Sequence, residues 1–247
     1  MSGRQHEHWA PNEGTMRRLL ACLVLRAAGA KPKFEPYAAN GGSAAAAAGS
    51  DFVYLASDAQ HANGMTVASC QDRQHHITSQ TCLAAGGCRA DCEALYRDLL
   101  VEAARYEMRQ RRGADCKVLA QALARLLHGR RRFPYFAQPV LAGLDASGRG
   151  RCFAFDSVGS TSEACVVAAG SAQRLLLPVL DARAPPRTTD VVYPRFASQE
   201  EARAALVDAF RAAARRDSTV GGVLDLTLVT SDGAVAERVA LLGDLAA

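Results

Sequence analysis

The apolar positions change period several times along the chain, and each change marks an element. Ser43 to Ala48 is a run of small, mostly apolar residues. Gly49-Ser50 punctuates it, and Phe52-Val53-Tyr54-Leu55-Ala56 is a compact β-rich run ending at Asp58, which together read as a hairpin. Extended segments are predicted around Met65 to Ala68 and over His76 to Ala84, the second closing at Gly86-Gly87. From Cys88 the period lengthens. Leu95, Leu99, Ala103 and Tyr106 recur at helical spacing through strong helix formers until Gly113 closes the stretch. Asp115 then reads as the N-cap of a second helix with Leu119, Leu123, Leu126 and Leu127 on its buried stripe.

Strand texture returns at Phe136 to Leu144 and Cys152 to Phe155, joined by the turn-rich Asp145 to Gly150. Val166 to Ala169 reads as a short strand. Ser171 leads into a helix over Leu175 to Leu180, in which Pro178 must stand in the first turn or end it. After a loop from Ala182 to Pro194, Ser198-Gln199-Glu200-Glu201 matches a capping box. Ala202, Leu206, Ala209, Phe210 and Ala213 then form one helical face, ending near Asp217. Gly221-Gly222 introduces a strand over Val223 to Val229, a turn at Ser231-Asp232-Gly233 and a last strand through Val239. Helices in separate pairs between hairpin-joined strands exclude the regular alternation of a doubly wound sheet and favour antiparallel sheet covered by helices.

Composition narrows the class. In 247 residues, 49% are hydrophobic and 22% charged, which fits one large globular domain and excludes a disordered or fibrous chain. The net charge of +4 is spread along the sequence rather than gathered into a stripe, so nucleic acid is not the expected partner. No apolar run approaches the roughly 18 residues that would argue for a membrane span. The eight cysteines are too sparse for a disulfide scaffold and favour a reducing compartment. Met16-Arg17-Arg18 before Leu19 to Leu25 imitates a targeting signal, but Arg26 cuts the apolar run short. Residues 1–33 therefore read as an N-terminal extension, disordered or trimmed, ahead of a domain over 34–247.

Three stretches carry a resemblance to the beta subunits of the proteasome core particle. They are Asn40-Gly41-Gly42-Ser43 with Phe52 to Asp58, Gly170-Ser171-Ala172 with Leu180-Asp181, and Asp217 with Gly221-Gly222. The likeness runs from about Phe34 to Leu242. Arg131 to Phe136, Ala142 to Asp145 and Phe155 to Ser160 are most similar to the subunit at the sixth beta position, the beta type-1 lineage. The resemblance implies an α+β fold, a four-layer αββα sandwich of two antiparallel sheets between helix layers, as in N-terminal-nucleophile hydrolases. It also implies neighbours at the fifth and seventh beta positions, contacts with the opposite beta ring and the alpha ring, no cofactor, and residence in cytoplasm and nucleus.

In active members of that family a threonine freed by propeptide cleavage attacks the peptide carbonyl, assisted by a lysine and an aspartate. Matching the family aspartate to Asp58 and counting back through a gap-free hairpin places Gly42 at the nucleophile position. The lysine position falls near Arg73 or Gln74, yet the only lysines are Lys31, Lys33 and Lys117. Arginine does not readily give up a proton and is a poor substitute. Ser171 and Asp217 match further family positions, while Val220 stands where a serine is usual. The expectation is a non-catalytic subunit carrying Asp58, Ser171 and Asp217 as remnants. The alternative is an active peptidase using Ser43 after cleavage at Gly42. Against it, Ser43 is one residue too close to Asp58, a slip that in a strand turns the side chain away from the site.

Two other groupings are weaker. His75, His76, Cys82, Cys88 and Cys92 offer zinc-ligand types without zinc spacing, so buried thiols and exposed histidines are expected. Arg130-Arg131-Arg132 at a helix end suits the helix dipole and a solvated or intersubunit surface better than RNA. No phosphate-cradling glycine loop is present.

Overall fold

In the computed structural model the described residues are 40–63, 66–70, 72–186 and 194–241. The extension over 1–33 and its targeting-like stretch lie outside them. The strands in chain order are β1 (Ser43–Ala48), β2 (Val53–Asp58), β3 (Gln60–Asn63), β4 (Thr66–Cys70), β5 (Gln74–Thr78) and β6 (Thr81–Gly87). They continue as β7 (Ala137–Leu144), β8 (Gly150–Phe155), β9 (Thr161–Ala164), β10 (Val166–Gly170), β11 (Val223–Thr230) and β12 (Gly233–Ala240). Four helices are described: α1 (Arg89–Gln110), α2 (Cys116–Gly129), α3 (Gln173–Arg183) and α4 (Gln199–Ala214).

Two five-stranded sheets, both antiparallel throughout, form the centre. One has the order β10-β1-β2-β11-β12 and the other β5-β6-β7-β8-β9, while β3 and β4 make a separate hairpin. Because successive side chains of a strand face opposite ways, each sheet divides its residues between two cores. Ala45, Ala47, Tyr54, Ala56 and Leu226 pack under Leu176, Leu206 and Phe210 of α3 and α4. Ala44, Ala46, Val53 and Leu55 turn the other way and meet Cys82, Ala84, Val140 and Ala142 of the second sheet. The far face of that sheet, with Leu83, Leu141, Phe153 and Phe155, packs on Leu95, Leu99, Leu123 and Leu127 of α1 and α2. Three cores between four layers give the αββα sandwich.

Strand β1 is nearly all alanine, a residue depleted in strands. It is a strand because it lies between β10 and β2 with both faces covered, and its residues are all buried. Packing there overrides propensity.

Helix ends follow local chemistry. Asp115 accepts from the Val118 amide at 2.9 Å and Ser198 from the Glu201 amide at 3.2 Å, so both expected caps are in place. Helix α1 closes not at Gly113 but at Arg111, which takes a left-handed φ of 53° and sends its amide to the Glu107 carbonyl.

Several expectations need correction. The single extended segment from His76 to Ala84 is two strands, because Thr78 Oγ1 accepts from the Gln80 amide and turns the chain. Strand β9 was not anticipated; its sequence Thr-Ser-Glu-Ala is polar because it is an edge strand. Pro178 neither opens nor ends α3 but stands inside it. The carbonyl it leaves without a donor belongs to Arg174, an exposed residue, while buried Leu176 and Leu180 hold the helix in place. Helix α4 stops at Ala214, short of Asp217.

Candidate functional site

The start of β1, the end of β2 and the segment leading into β5 converge at Gly42. Its carbonyl accepts from the Ser171 amide at 3.1 Å, and the preceding residue pairs with the end of β6 through Gly87 N–H to Gly41 O at 3.0 Å. Gly42 is buried with φ 92°, a conformation open to glycine. A Cβ placed there would overlap the guanidinium of Arg73. Arginine thus fills the space that a side chain at residue 42 would need.

Arg73 is held by backbone. Nε donates to the Asp58 carbonyl at 2.9 Å, Nη1 to the Gly41 carbonyl at 3.4 Å and Nη2 to the Gln60 carbonyl. Its side chain is 4% exposed, and Nε lies 3.8 Å from Asp58 Oδ1. Burial pulls the guanidinium pKa down, with Asp58 opposing, and an arginine starts so high that it stays charged. Of the two residues near the expected lysine position, only Arg73 reaches the site. Gln74 donates instead to the carbonyls of Asp225 at 2.7 Å and Leu55 at 3.3 Å, and takes the Thr227 hydroxyl at 2.6 Å. Lys117, alone among the described residues as a lysine, lies 3.8 Å from Asp145.

Asp58 is fully buried. Oδ1 accepts the Ser43 amide at 2.7 Å. Burial raises its pKa to about 6, against the pull of Arg73 and of the Ser43 amide. The folded carboxyl therefore holds its proton more tightly than the unfolded one, whose value is 3.8. Its contribution to stability is complete below that value and is lost as the pH climbs through about 6. Thermal unfolding at constant ionic strength should show Tm falling across this interval, with a flatter profile in Asp58→Asn. Equal slopes in the two proteins would reject the assignment.

Ser43, Ser171 and Asp217 come together, with a member the sequence reading missed. Ser43 Oγ accepts from the Ala172 amide at 2.9 Å and lies 3.3 Å from Ser171 Oγ. Ser171 Oγ is 2.9 Å from Thr219 Oγ1, which is 2.7 Å from Asp217 Oδ1. Thr219 stands two residues after Asp217 and donates its amide to it at 2.8 Å, a local Asx-type turn. Val220 instead packs into the core under α3 and α4. The expectation that Ser43 turns away is thus corrected, because its register opposite Gly170 aims the hydroxyl at the start of α3. Its amide, however, is a peptide nitrogen hydrogen-bonded to Asp58, and among the described residues the hydroxyls of Ser43, Ser171 and Thr219 meet no lysine or histidine.

Gly86 and Gly170 wall the Gly42 carbonyl so closely that a Cβ on either would overlap its oxygen. Beside them opens a cleft of about 240 Å³ lined by Gly41, Gly87, Phe136, Gln138, Ser157 and Ser171. Among the described residues no titratable side chain lines it.

Among the described residues the zinc-type side chains form no group of three or more that could hold a metal ion. His75 stacks on Tyr96 at 4.2 Å between ring centres, while His76 Nδ1 lies 3.1 Å from Cys82 Sγ and Cys92 turns toward the Gly86 carbonyl. Arg130 of the basic run stands over the Tyr135 ring at 4.5 Å and pairs with Asp98 at 3.5 Å.

The family described as "Proteasome subunit" covers residues 38–229. The chain is 34% identical over 213 residues to proteasome subunit beta type-1-B of Carassius auratus, spanning 86% of this chain and 90% of the relative. It is 34% identical over 205 residues to the beta type-1 subunit of Drosophila melanogaster, with 82% and 87% covered. The beta type-6 subunit of Saccharomyces cerevisiae is 31% identical over 214 residues, with 81% and 88% covered. On fold, on site geometry and on these matches, the chain belongs to the proteasome subunit family, among relatives of the beta type-1 and type-6 kind.

Proposed function

We propose that the chain is a non-catalytic beta subunit of the core proteasome at the sixth beta position, holding its ring together and walling the chamber for ATP- and ubiquitin-dependent proteolysis. Its neighbours are then the fifth and seventh beta subunits, the opposite beta ring and the alpha ring, in cytoplasm and nucleus. The observation that carries the reading is Arg73, whose guanidinium occupies the side-chain space of Gly42. A glycine offers no nucleophile, and an arginine bound to three carbonyls cannot take the lysine's part in proton exchange.

The test uses the full chain in its native high-mass assembly, treated with a mechanism-based inhibitor of N-terminal nucleophiles. The expected result is adducts on companion beta subunits and none on this chain, whose first residue lies upstream of Gly42. An adduct on a chain beginning at Ser43 would establish the peptidase alternative instead.

A further inference from the structure

Helix α4 ends at Ala214, and the chain then turns through Arg215-Arg216-Asp217-Ser218-Thr219. The side chains of this turn divide by what holds them. Asp217 is turned onto Thr219, its Oδ1 accepting the Thr219 amide at 2.8 Å and the Thr219 hydroxyl at 2.7 Å. The Ser218 carbonyl accepts from Gln60 Nε2 at 2.7 Å, so the backbone is anchored from the protein side. Arg215, Arg216 and Ser218 are exposed. Among the described residues the Ser218 hydroxyl meets no hydrogen-bond partner, and neither guanidinium meets a carboxylate.

A serine in a turn ordinarily bonds its hydroxyl to nearby backbone, and here Asp217 has taken that part. The helix dipole favours a cation at the end of α4, where Arg211 already stands in the last turn. It does not account for an unbonded hydroxyl placed two and three residues after a pair of unpaired guanidiniums. Protein kinases choose their substrates by such charge patterns, and the planar fork of arginine fits a groove lined by carboxylates. The segment also yields cheaply. Beyond α4 only the Arg216 and Asp217 amides return to the Ala213 carbonyl, each at 2.9 Å, and helix ends open at little cost.

We infer that Ser218 is a phosphorylation site for a protein kinase whose peptide groove presents carboxylates to Arg215 and Arg216. The hydroxyl oxygen bonds to the γ-phosphorus of ATP as the bond from that phosphorus to the β–γ bridging oxygen breaks. ADP departs, and the hydroxyl proton passes to the kinase's catalytic aspartate. The phosphate brings a charge of about −1.5 to −2 beside Asp217 at the carboxyl end of a helix. Carboxylate and dipole repel it while the two guanidiniums draw it outward, so modification pulls on the turn whose Thr219 Oγ1 lies 2.9 Å from Ser171 Oγ. The inference stands apart from the question of catalysis at Gly42.

The test uses the full chain as released from cell-free synthesis, with magnesium ATP and a kinase selective for arginine two and three residues before its acceptor. A kinase selective for acidic surroundings is the control. The expected label falls on Ser218 by fragment mass spectrometry and is absent from Ser218→Ala. In Arg215→Gln with Arg216→Gln it drops roughly tenfold or more. The labelled chain also melts below the Ser218→Ala chain treated alike. Label elsewhere, an unlabelled chain, or equal labelling of the double variant or by the control kinase would overturn the inference. Equal melting would overturn the pull on the turn. Should the double variant fail to fold, Arg215→Gln and Arg216→Gln read separately decide in the same way.

Discussion

Arg73→Ala is expected to destabilise the fold by about 3–5 kcal/mol, the usual cost of removing one partner from a buried ion pair. The variant leaves Asp58 fully buried without its cation and three carbonyls, of Gly41, Asp58 and Gln60, without their donor. Urea unfolding of the chain, or its yield in the assembly where the free chain does not persist, measures the loss. Arg73→Lys should restore part of it, since an ammonium returns the charge but not the planar fork that reaches three backbone groups at once. A loss below about 1 kcal/mol in Arg73→Ala would mean that the guanidinium is a surface-like pair rather than a clamp.

Gly42→Thr is expected to be nearly as damaging and to confer no peptidase activity. The threonine side chain would meet the Arg73 guanidinium and would have to adopt φ 92°, which a β-branched residue resists. Overpacking costs roughly 1–3 kcal/mol and the backbone strain roughly as much again. Because the steric overlap passes through Arg73, combining Gly42→Thr with Arg73→Ala should cost less than the two single losses added together. A double-mutant cycle should show coupling of about 1 kcal/mol or more. Additive losses would show that Arg73 moves aside freely, and measurable peptide cleavage by Gly42→Thr alone would overturn the account of the site.

The sequence made much of this legible for identifiable reasons. The capping residues Asp115 and Ser198 announce helix starts through chemistry confined to three neighbouring residues, and both stand where expected. Asp58 and Gly42 were placed by counting along a hairpin, and the hairpin has no bulge between β1 and β2. What stayed hidden depends on contacts between distant segments. Whether Arg73 or Gln74 faces the site is decided by which face of the sandwich each residue of an alternating pair reaches, and nothing local to those residues states it. Thr219 is not legible in the family pattern, which expects its hydroxyl at Val220, whereas the neighbouring residue supplies one. The polar strand β9 and the proline inside α3 were missed because an exposed edge relaxes apolar alternation and an exposed carbonyl tolerates the missing donor.

The alanine strand β1 also governs when the molecule can be finished. Its neighbours are β2, translated immediately afterwards, and β10, which arrives much later, while β2 must wait for β11 near the end of the described chain. At translation rates of roughly 5–20 residues per second, the first hairpin therefore spends many seconds without its flanking strands. With five alanines and one serine along β1, that strand brings little apolar surface to the hairpin. The nascent chain thus presents two open strand edges until β10 emerges and one until β11 does, an interval in which an unpaired edge is a template for aggregation.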